Sequence, residues 1–237
     1  MYFRISNTAE KEELETWSNA SLKHPNLYKP QIIINGLNEV TIPIITMEEK
    51  NHISLSIWGL LPEKYDEDWT IFQNTFNTLN LHEEDMDSGL WYTEAFKSRR
   101  SLVPVTGFFT SYLRNGKTFP YYISLKSGKP FYLASIYSRL EDGFITSSLL
   151  VGRTNGFIRQ FQNVVDCMPL LISSKQKKEW LNEETSSKQL KEILNSPIDD
   201  IFHAHPIAKD FFNNDISYDS MLLPYEYSDR DTDTNLD

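Results

Sequence analysis

The side chains whose type and spacing could do chemistry on their own are few: His203 and His205, the thiol of Cys167, and the amine of Met1. His203 and His205 lie two apart, so on a strand they share one face, as two ligands of a metal ion would. No carboxylate or further histidine stands at ligand spacing, so neither a metal nor another cofactor is expected. His205, followed by the restricting Pro206, reads either as a pocket wall or as a structural histidine bonded to a carbonyl. Cys167 is the only cysteine, which excludes an intrachain disulfide and a cysteine-based zinc site. Its expected role is that of a small buried apolar group. Trp58 sits in a strand-like run and reads first as core or pocket wall, with a base-stacking platform as the alternative.

The elements that would position these groups are mostly strands. Runs rich in aromatic and β-branched residues include VTIPIIT, ISLSIWGL, SLVPVTGFFTSYL, FPYYISL and PFYLASIYS. Arg114-Asn115-Gly116-Lys117 has the Asn-Gly pair of a tight primed turn, Ser127-Gly128-Lys129 reads as the next turn, and residues 101–138 read as an antiparallel meander. Tyr2-Phe3-Arg4-Ile5-Ser6 reads as a short strand, and Thr8 with Glu10, Glu12 and Glu13 as the capped acidic start of a helix. Helices are expected near 8–19, 91–99, 155–163, 174–182 and 186–195. Antiparallel strands with helices scattered between them predict an α+β fold, with one domain over 1–224.

The chain has 237 residues, 40% of them hydrophobic and 13% aromatic, which is enough for a well-buried core. Its formal charge of −10 is unevenly placed, because residues 199–237 hold ten acids against Lys209 and Arg230. Residues 225–237, ending in the polar SDRDTDTNLD, read as an acidic disordered tail. A near-neutral body with an acidic tail points to weak, local or absent nucleic-acid binding, since phosphate neutralisation normally drives it. No apolar run is long enough to span a bilayer and no signal peptide is read, so a soluble, cytoplasmic monomer is expected.

Five segments resemble, in order and spacing, motifs of the SOS response-associated peptidase (SRAP) family, whose members sense abasic sites in single-stranded DNA. Trp58-Gly59-Leu60-Leu61-Pro62 is similar to W-G-L-x-P, and Arg99-Arg100-Ser101-Leu102-Val103-Pro104-Val105-Thr106-Gly107-Phe108-Phe109 to R-R-C-L-V-P-A-D-G-F-Y. Phe119-Pro120-Tyr121-Tyr122-Ile123 resembles K-x-P-Y-x-I, Met168-Pro169-Leu170-Leu171-Ile172 resembles R-M-P-V-I-L, and His205-Pro206-Ile207-Ala208 resembles H-P-V-S. The resemblance implies an SRAP-like fold, with antiparallel strands in a twisted, partly barrel-like sheet surrounded by helices.

It also implies a chemistry that this chain departs from. In the family, removal of the first methionine exposes a cysteine whose amine and thiol close a thiazolidine ring on the abasic aldehyde, assisted by a Glu and a His. Carried over by position, the cysteine is Tyr2, the Glu is Thr110, and the His is Gln162 or, in the other register, Val165. Tyr2 has no thiol and is too bulky for the usual removal of Met1, and neither Thr110, Gln162 nor Val165 titrates near neutrality. Cys167 stands where the family has an Arg before M-P. Arg4 falls on the Arg of the family's Met-Cys-Gly-Arg start.

The DNA-positioning segment is better kept. Thr78-Leu79-Asn80-Leu81-His82-Glu83-Glu84 matches T-L-N-A-R-x-E, retaining Asn80 and Glu84 and putting the weaker phosphate ligand His82 in place of Arg. Asn77 is the rival register for the Asn. Tyr65 sits where family members carry a DNA-facing Trp. Three readings follow. The first is a non-crosslinking SRAP homologue without peptidase activity that retains single-stranded DNA binding. The second is a pocket repurposed for a small molecule or protein. The third is a relocated chemistry in which the Met1 amine forms an imine.

Overall fold

The computed structural model describes residues 2–196, 201–212 and 219–227. Among them the chain runs β1 (Arg4–Asn7), α1 (Lys11–Ser18), β2 (Ser21–Leu22), β3 (Gln31–Asn35), β4 (Thr41–Thr46), β5 (His52–Trp58), α2 (Trp69–Phe76), β6 (Asn80–His82) and α3 (Thr93–Ser98). It continues as β7 (Arg100–Val105), β8 (Gly107–Arg114), β9 (Lys117–Leu125), β10 (Phe131–Arg139), β11 (Ile145–Arg153), β12 (Cys167–Pro169), β13 (Leu171–Ile172), α4 (Lys177–Trp180), α5 (Ser187–Leu194) and β14 (Phe202–Pro206).

These strands form two sheets, and the larger one closes on itself. Its order is β12-β11-β10-β7-β4-β5-β2, and a further parallel pairing of β11 with β5 joins β5, β4, β7, β10 and β11 into a ring. Closure removes the exposed strand edges that an open sheet would present. The smaller sheet, β14-β9-β8-β1-β3, is antiparallel throughout. The architecture is therefore α+β with a partly barrel-like sheet.

Ring strands are apolar on both faces because each face is covered. Ile45, Leu102, Ala134 and Leu150 join one cluster with Leu14, Phe96, Trp180 and Leu190 of the helices. Their neighbours Ile44, Val103, Leu133 and Leu149 join a second cluster with Ile5, Phe108 and Ile123 of the smaller sheet. Alternate residues thus serve opposite cores, as the two-residue period of a strand requires.

The segment 101–138 differs from a meander. Asn115 (φ 51°) and Gly116 (φ 70°) turn β8 back onto β9 as their chemistry demands, but β7 and β10 pair with each other in the other sheet. The chain crosses between sheets at Thr106, whose hydroxyl accepts the Thr8 amide at 3.0 Å, and again through the turn at Gly128. Thr8 is thereby engaged with β7–β8 rather than with α1, whose cap position is Glu10 without a side-chain bond. The expected helix over 155–163 is reduced to a single 3-10 turn at Ile158–Gln160, and an unexpected α2 starts at Asp68, whose carboxylate accepts the amides of Thr70 and Ile71.

Gly107 fixes where β8 can pass. A Cβ built there would fall 2.3 Å from the ring of Tyr122, which lies across the glycine from β9. Gly107→Ala is expected to cost about 1–3 kcal/mol, because the ring and backbone must move apart in a packed core. Urea unfolding should show the midpoint drop with the slope unchanged. Tyr225 and Tyr227 lie within the stretch read as a tail yet pack on β14, through Tyr225 N to Pro206 O at 2.9 Å and Tyr227 Oη to Ile207 O at 2.5 Å. Residues 228–237 lie outside the described residues.

Candidate functional site

Four chain segments converge where the sequence motifs place the degenerate positions. Pairing of Ile5 with Phe108 and Ser6 with Gly107 carries the N-terminus alongside Thr110, and parallel pairing of β6 with β11 sets Asn80 opposite Leu149. The loop between β11 and β12 then brings Gln162 over the end of β8. Tyr2, Asn80 and Gln162 are joined directly by hydrogen bonds, and Thr110 by the neighbouring Phe161.

The Tyr2 side chain occupies the centre of this site and is only 3% exposed. Its ring meets Phe108 edge-on at 5.7 Å, and its hydroxyl donates to Gln162 Oε1. Gln162 Nε2 donates to the carbonyls of Val165 at 2.8 Å and Cys167 at 2.7 Å, with Thr154 Oγ1 at 3.4 Å. Both N–H donors of that amide are used and its oxygen accepts from Tyr2, which fixes its orientation. Thr110 Oγ1 donates to Phe161 O at 2.9 Å. The Tyr2 backbone nitrogen donates to Asn80 Oδ1 at 2.5 Å, while buried Asn80 Nδ2 has no partner among the described residues. Beside Tyr2 remains a cavity of about 130 Å³, lined by Arg4, Phe109, Thr110, Gln162, Val165 and Phe211 among others.

None of these groups moves a proton near neutrality. Burial, then the nearby Cys167 thiol, push the Tyr2 phenol far above its ordinary range, against the smaller opposing effect of the Gln162 bond. It is therefore a neutral donor, matched to a neutral amide acceptor. Burial likewise raises the phenols of Tyr28, Tyr132 and Tyr137. The unfolded chain releases such protons near pH 10, whereas the native state retains them. Their contribution to stability is therefore complete below about pH 10 and is lost as pH rises beyond it. Alkaline titration should show the phenolate band of these residues developing together with unfolding.

The remaining candidates are divided among different surroundings. Arg4 places its guanidinium 4.7 Å from the centre of the Phe211 ring and 4.9 Å from that of Phe3, at the cavity. Trp58 is fully buried and donates Nε1 to Leu79 O at 2.9 Å, so it is core. Asn77 is the left-handed C-cap of α2, whereas Asn80 is the one bonded to position 2. His82 is exposed, and Glu84 and Arg153 approach to 3.9 Å with both side chains mostly in solvent. Tyr65 stacks edge-on against Phe72 at 4.9 Å, donates to Asp68 O at 3.0 Å, and is followed in sequence by three acids, Asp66, Glu67 and Asp68.

His205 belongs to another layer. Its Nε2 bonds the Leu222 carbonyl at 2.7 Å, its ring meets Tyr122 at 5.7 Å, and burial lowers its pKa, so it is a neutral donor. The His203 and His205 rings lie 5.3 Å apart, and no group of three or more metal-ligating side chains occurs among the described residues. Phe108 and Phe211, the aromatic walls of the site, escaped the sequence reading. Phe108 carries a signal in its place after Gly107; Phe211 carries none, because only tertiary packing brings it to Arg4.

Comparison with known proteins agrees with this architecture. The pattern of the SOS response associated peptidase (SRAP) family matches residues 1–214, and the chain belongs to that family. It is 25% identical over 164 residues to the abasic site processing protein YoaM of Bacillus subtilis, covering 67% of this chain and 69% of that protein. The abasic site processing protein YoqW of Bacillus phage SPbeta is 23% identical over 67% of this chain and 70% of its own length. A crystal structure of a Bacteroides thetaiotaomicron protein superposes with a TM-score of 0.84 at 22% identity, over 94% of this chain and 100% of that one. A Bordetella bronchiseptica protein gives 0.71 at 15% identity, over 87% and 99%. No helix among the described residues is long and apolar enough to cross a membrane.

Proposed function

We propose that this chain is a non-crosslinking SRAP protein that contacts single-stranded DNA, abasic sites included, by reversible binding alone. The observation that carries this reading is the buried Tyr2–Gln162 bond. The tyrosine fills the position from which the family's cysteine would attack, and its nitrogen is a peptide amide tied to Asn80. Retention of Asn80 beside position 2 and of Arg4 at the cavity supports a surviving contact with the strand. The family relationship to proteins named for abasic-site processing supports the ligand class.

A second reading is favoured by the charges along the expected track. Asp66, Glu67 and Asp68 adjoin Tyr65, and Glu83, Glu84 and Asp85 follow His82. Acids there repel phosphate, as expected of a pocket turned over to a small molecule or a protein. Fluorescence anisotropy with a labelled abasic oligonucleotide separates the two. Reversible binding that weakens with salt, with a log–log slope of about −0.7 per phosphate contact, is the expected result. No binding even at low salt would overturn the first reading and favour the second. Met1, the source of the imine reading, lies outside the described residues, and borohydride trapping of an adduct on its amine would support that reading instead.

A further inference from the structure

We propose that single-stranded nucleic acid is held in a second place, an aromatic groove on the outer half of the β8–β9 hairpin, where nucleobases stack beyond the sealed site. This rests on the reading that the protein contacts single strands. The hairpin register pairs Thr110 with Tyr121, Tyr112 with Phe119 and Arg114 with Lys117. Because side chains alternate, all six stand on one face: a hydroxyl at the sealed site, then aromatic rings, then two cations at the tip.

Toward the core this face is covered, since Phe108 and Ile123 belong to the packed cluster. Toward the tip it opens into a groove of about 920 Å³, walled by Tyr112, Tyr121, Tyr225 and Tyr227, with Pro206 at its edge. Tyr225 is 45% exposed, and its ring lies 4.8 Å from that of Tyr227. Tyrosines on an open wall can offer sequence-tolerant stacking surfaces, because every base has a π face.

Charge indicates which kind of polymer fits. Arg114 is exposed, lines the groove and has no carboxylate partner among the described residues, and Lys117 pairs with it across the turn. Lys209 sits 4.3 Å from the Phe119 ring centre and 5.3 Å from that of Tyr227. Glu226 is the one acid among the described lining residues. Rings with cations at their margins suit bases joined by phosphates.

The groove also continues from the family site. Gln160 walls the groove while Gln162 holds Tyr2, and between them Phe161 accepts the Thr110 hydroxyl and places its ring 5.4 Å from Tyr121. From Thr110 to Arg114 β8 advances about 14 Å. A strand passing the cavity that Arg4 and Thr110 line can therefore run on into the groove.

The test is anisotropy of a labelled oligothymidine with the full chain at low salt, alongside Tyr225→Ala, Arg114→Glu and the control Leu27→Ser, which lines a separate cavity near Phe144. Tyr225→Ala should weaken binding by about 5- to 100-fold, the range of one lost stacking contact. Arg114→Glu should weaken it and flatten the salt dependence, and Leu27→Ser should match wild type. A bromouracil oligonucleotide should photocrosslink to Tyr112, Tyr121 or Tyr225. Wild-type binding that both groove variants leave intact would overturn the groove while sparing the reading of single-strand contact. Absence of wild-type binding would overturn both, and binding of a proline-rich peptide in its place would assign the groove to a protein partner.

Discussion

On the proposed non-crosslinking reading, replacing Tyr2 with cysteine is expected to give a chain that forms an adduct with an abasic site, though slowly. A cysteine at position 2 is small enough for Met1 to be removed, leaving an amine and a thiol on one residue. Both can add to the aldehyde carbon, and loss of water closes the thiazolidine implied by the family chemistry. The site already holds the position-2 nitrogen, through Asn80 Oδ1 at 2.5 Å. It lacks proton transfer, because Thr110 is spent on Phe161 O and the Gln162 amide neither accepts nor gives a proton near neutrality. Adding Thr110→Glu and Gln162→His should speed the reaction by about 10²–10⁴-fold, the usual range of general acid–base assistance. Adduct formation is read on a denaturing gel. If the folded Tyr2→Cys chain, with Met1 shown by mass spectrometry to be absent, binds the oligonucleotide but gives no adduct, the site does not present an aldehyde to position 2.

The second large effect is expected at Arg100, a fully buried guanidinium with no carboxylate partner among the described residues. It donates to four carbonyls: Nε to Trp180 at 2.8 Å, one terminal nitrogen to Phe96 at 3.0 Å and Lys97 at 2.5 Å, and the other to Asn182 at 2.6 Å. These carbonyls belong to the ends of α3 and α4, where helices leave acceptors unsatisfied and carry partial negative charge. Burial lowers the Arg100 pKa to about 10, so it remains charged at neutral pH. Arg100→Leu removes the cation and strands the carbonyls, at a cost of about 3–5 kcal/mol. For a chain of this size that corresponds to a fall in Tm of roughly 6–20 °C. Arg100→Lys, with fewer donors, should fall between the two. A loss below about 1 kcal/mol in Arg100→Leu would contradict the role of Arg100 as the clamp between α3 and α4.

How much of this was legible follows from where each determinant resides. The β8–β9 hairpin was legible because Asn115-Gly116 specifies its turn locally, and α5 because Ser186 and Gln189 form a capping box. The ring was not, since the β11–β5 pairing joins residues some 90 apart and leaves no local trace. Helix α2 carried a readable signal in Asp68, which went unread amid the surrounding acids. At the site, the positions came from motif spacing: Tyr2, Thr110 and Gln162 lie together, and Asn80 rather than Asn77 touches position 2. What spacing could not convey was the mutual fit. The Tyr2 ring fills the site, and its hydroxyl engages an amide whose N–H donors are already bonded. On the hairpin, Tyr112, Arg114, Lys117, Phe119 and Tyr121 share a face by alternation, and β14 with Tyr225 supplies the groove's walls only through tertiary packing.

On the proposed reading, this chain has exchanged covalent capture for reversible contact. The most direct test of that reading is incubation of the purified wild-type chain with single-stranded DNA carrying an abasic site, followed by denaturing electrophoresis and, in parallel, native binding. The expected result is a salt-sensitive native complex and no denaturation-resistant band. A covalent band that forms without borohydride and survives denaturation would contradict it.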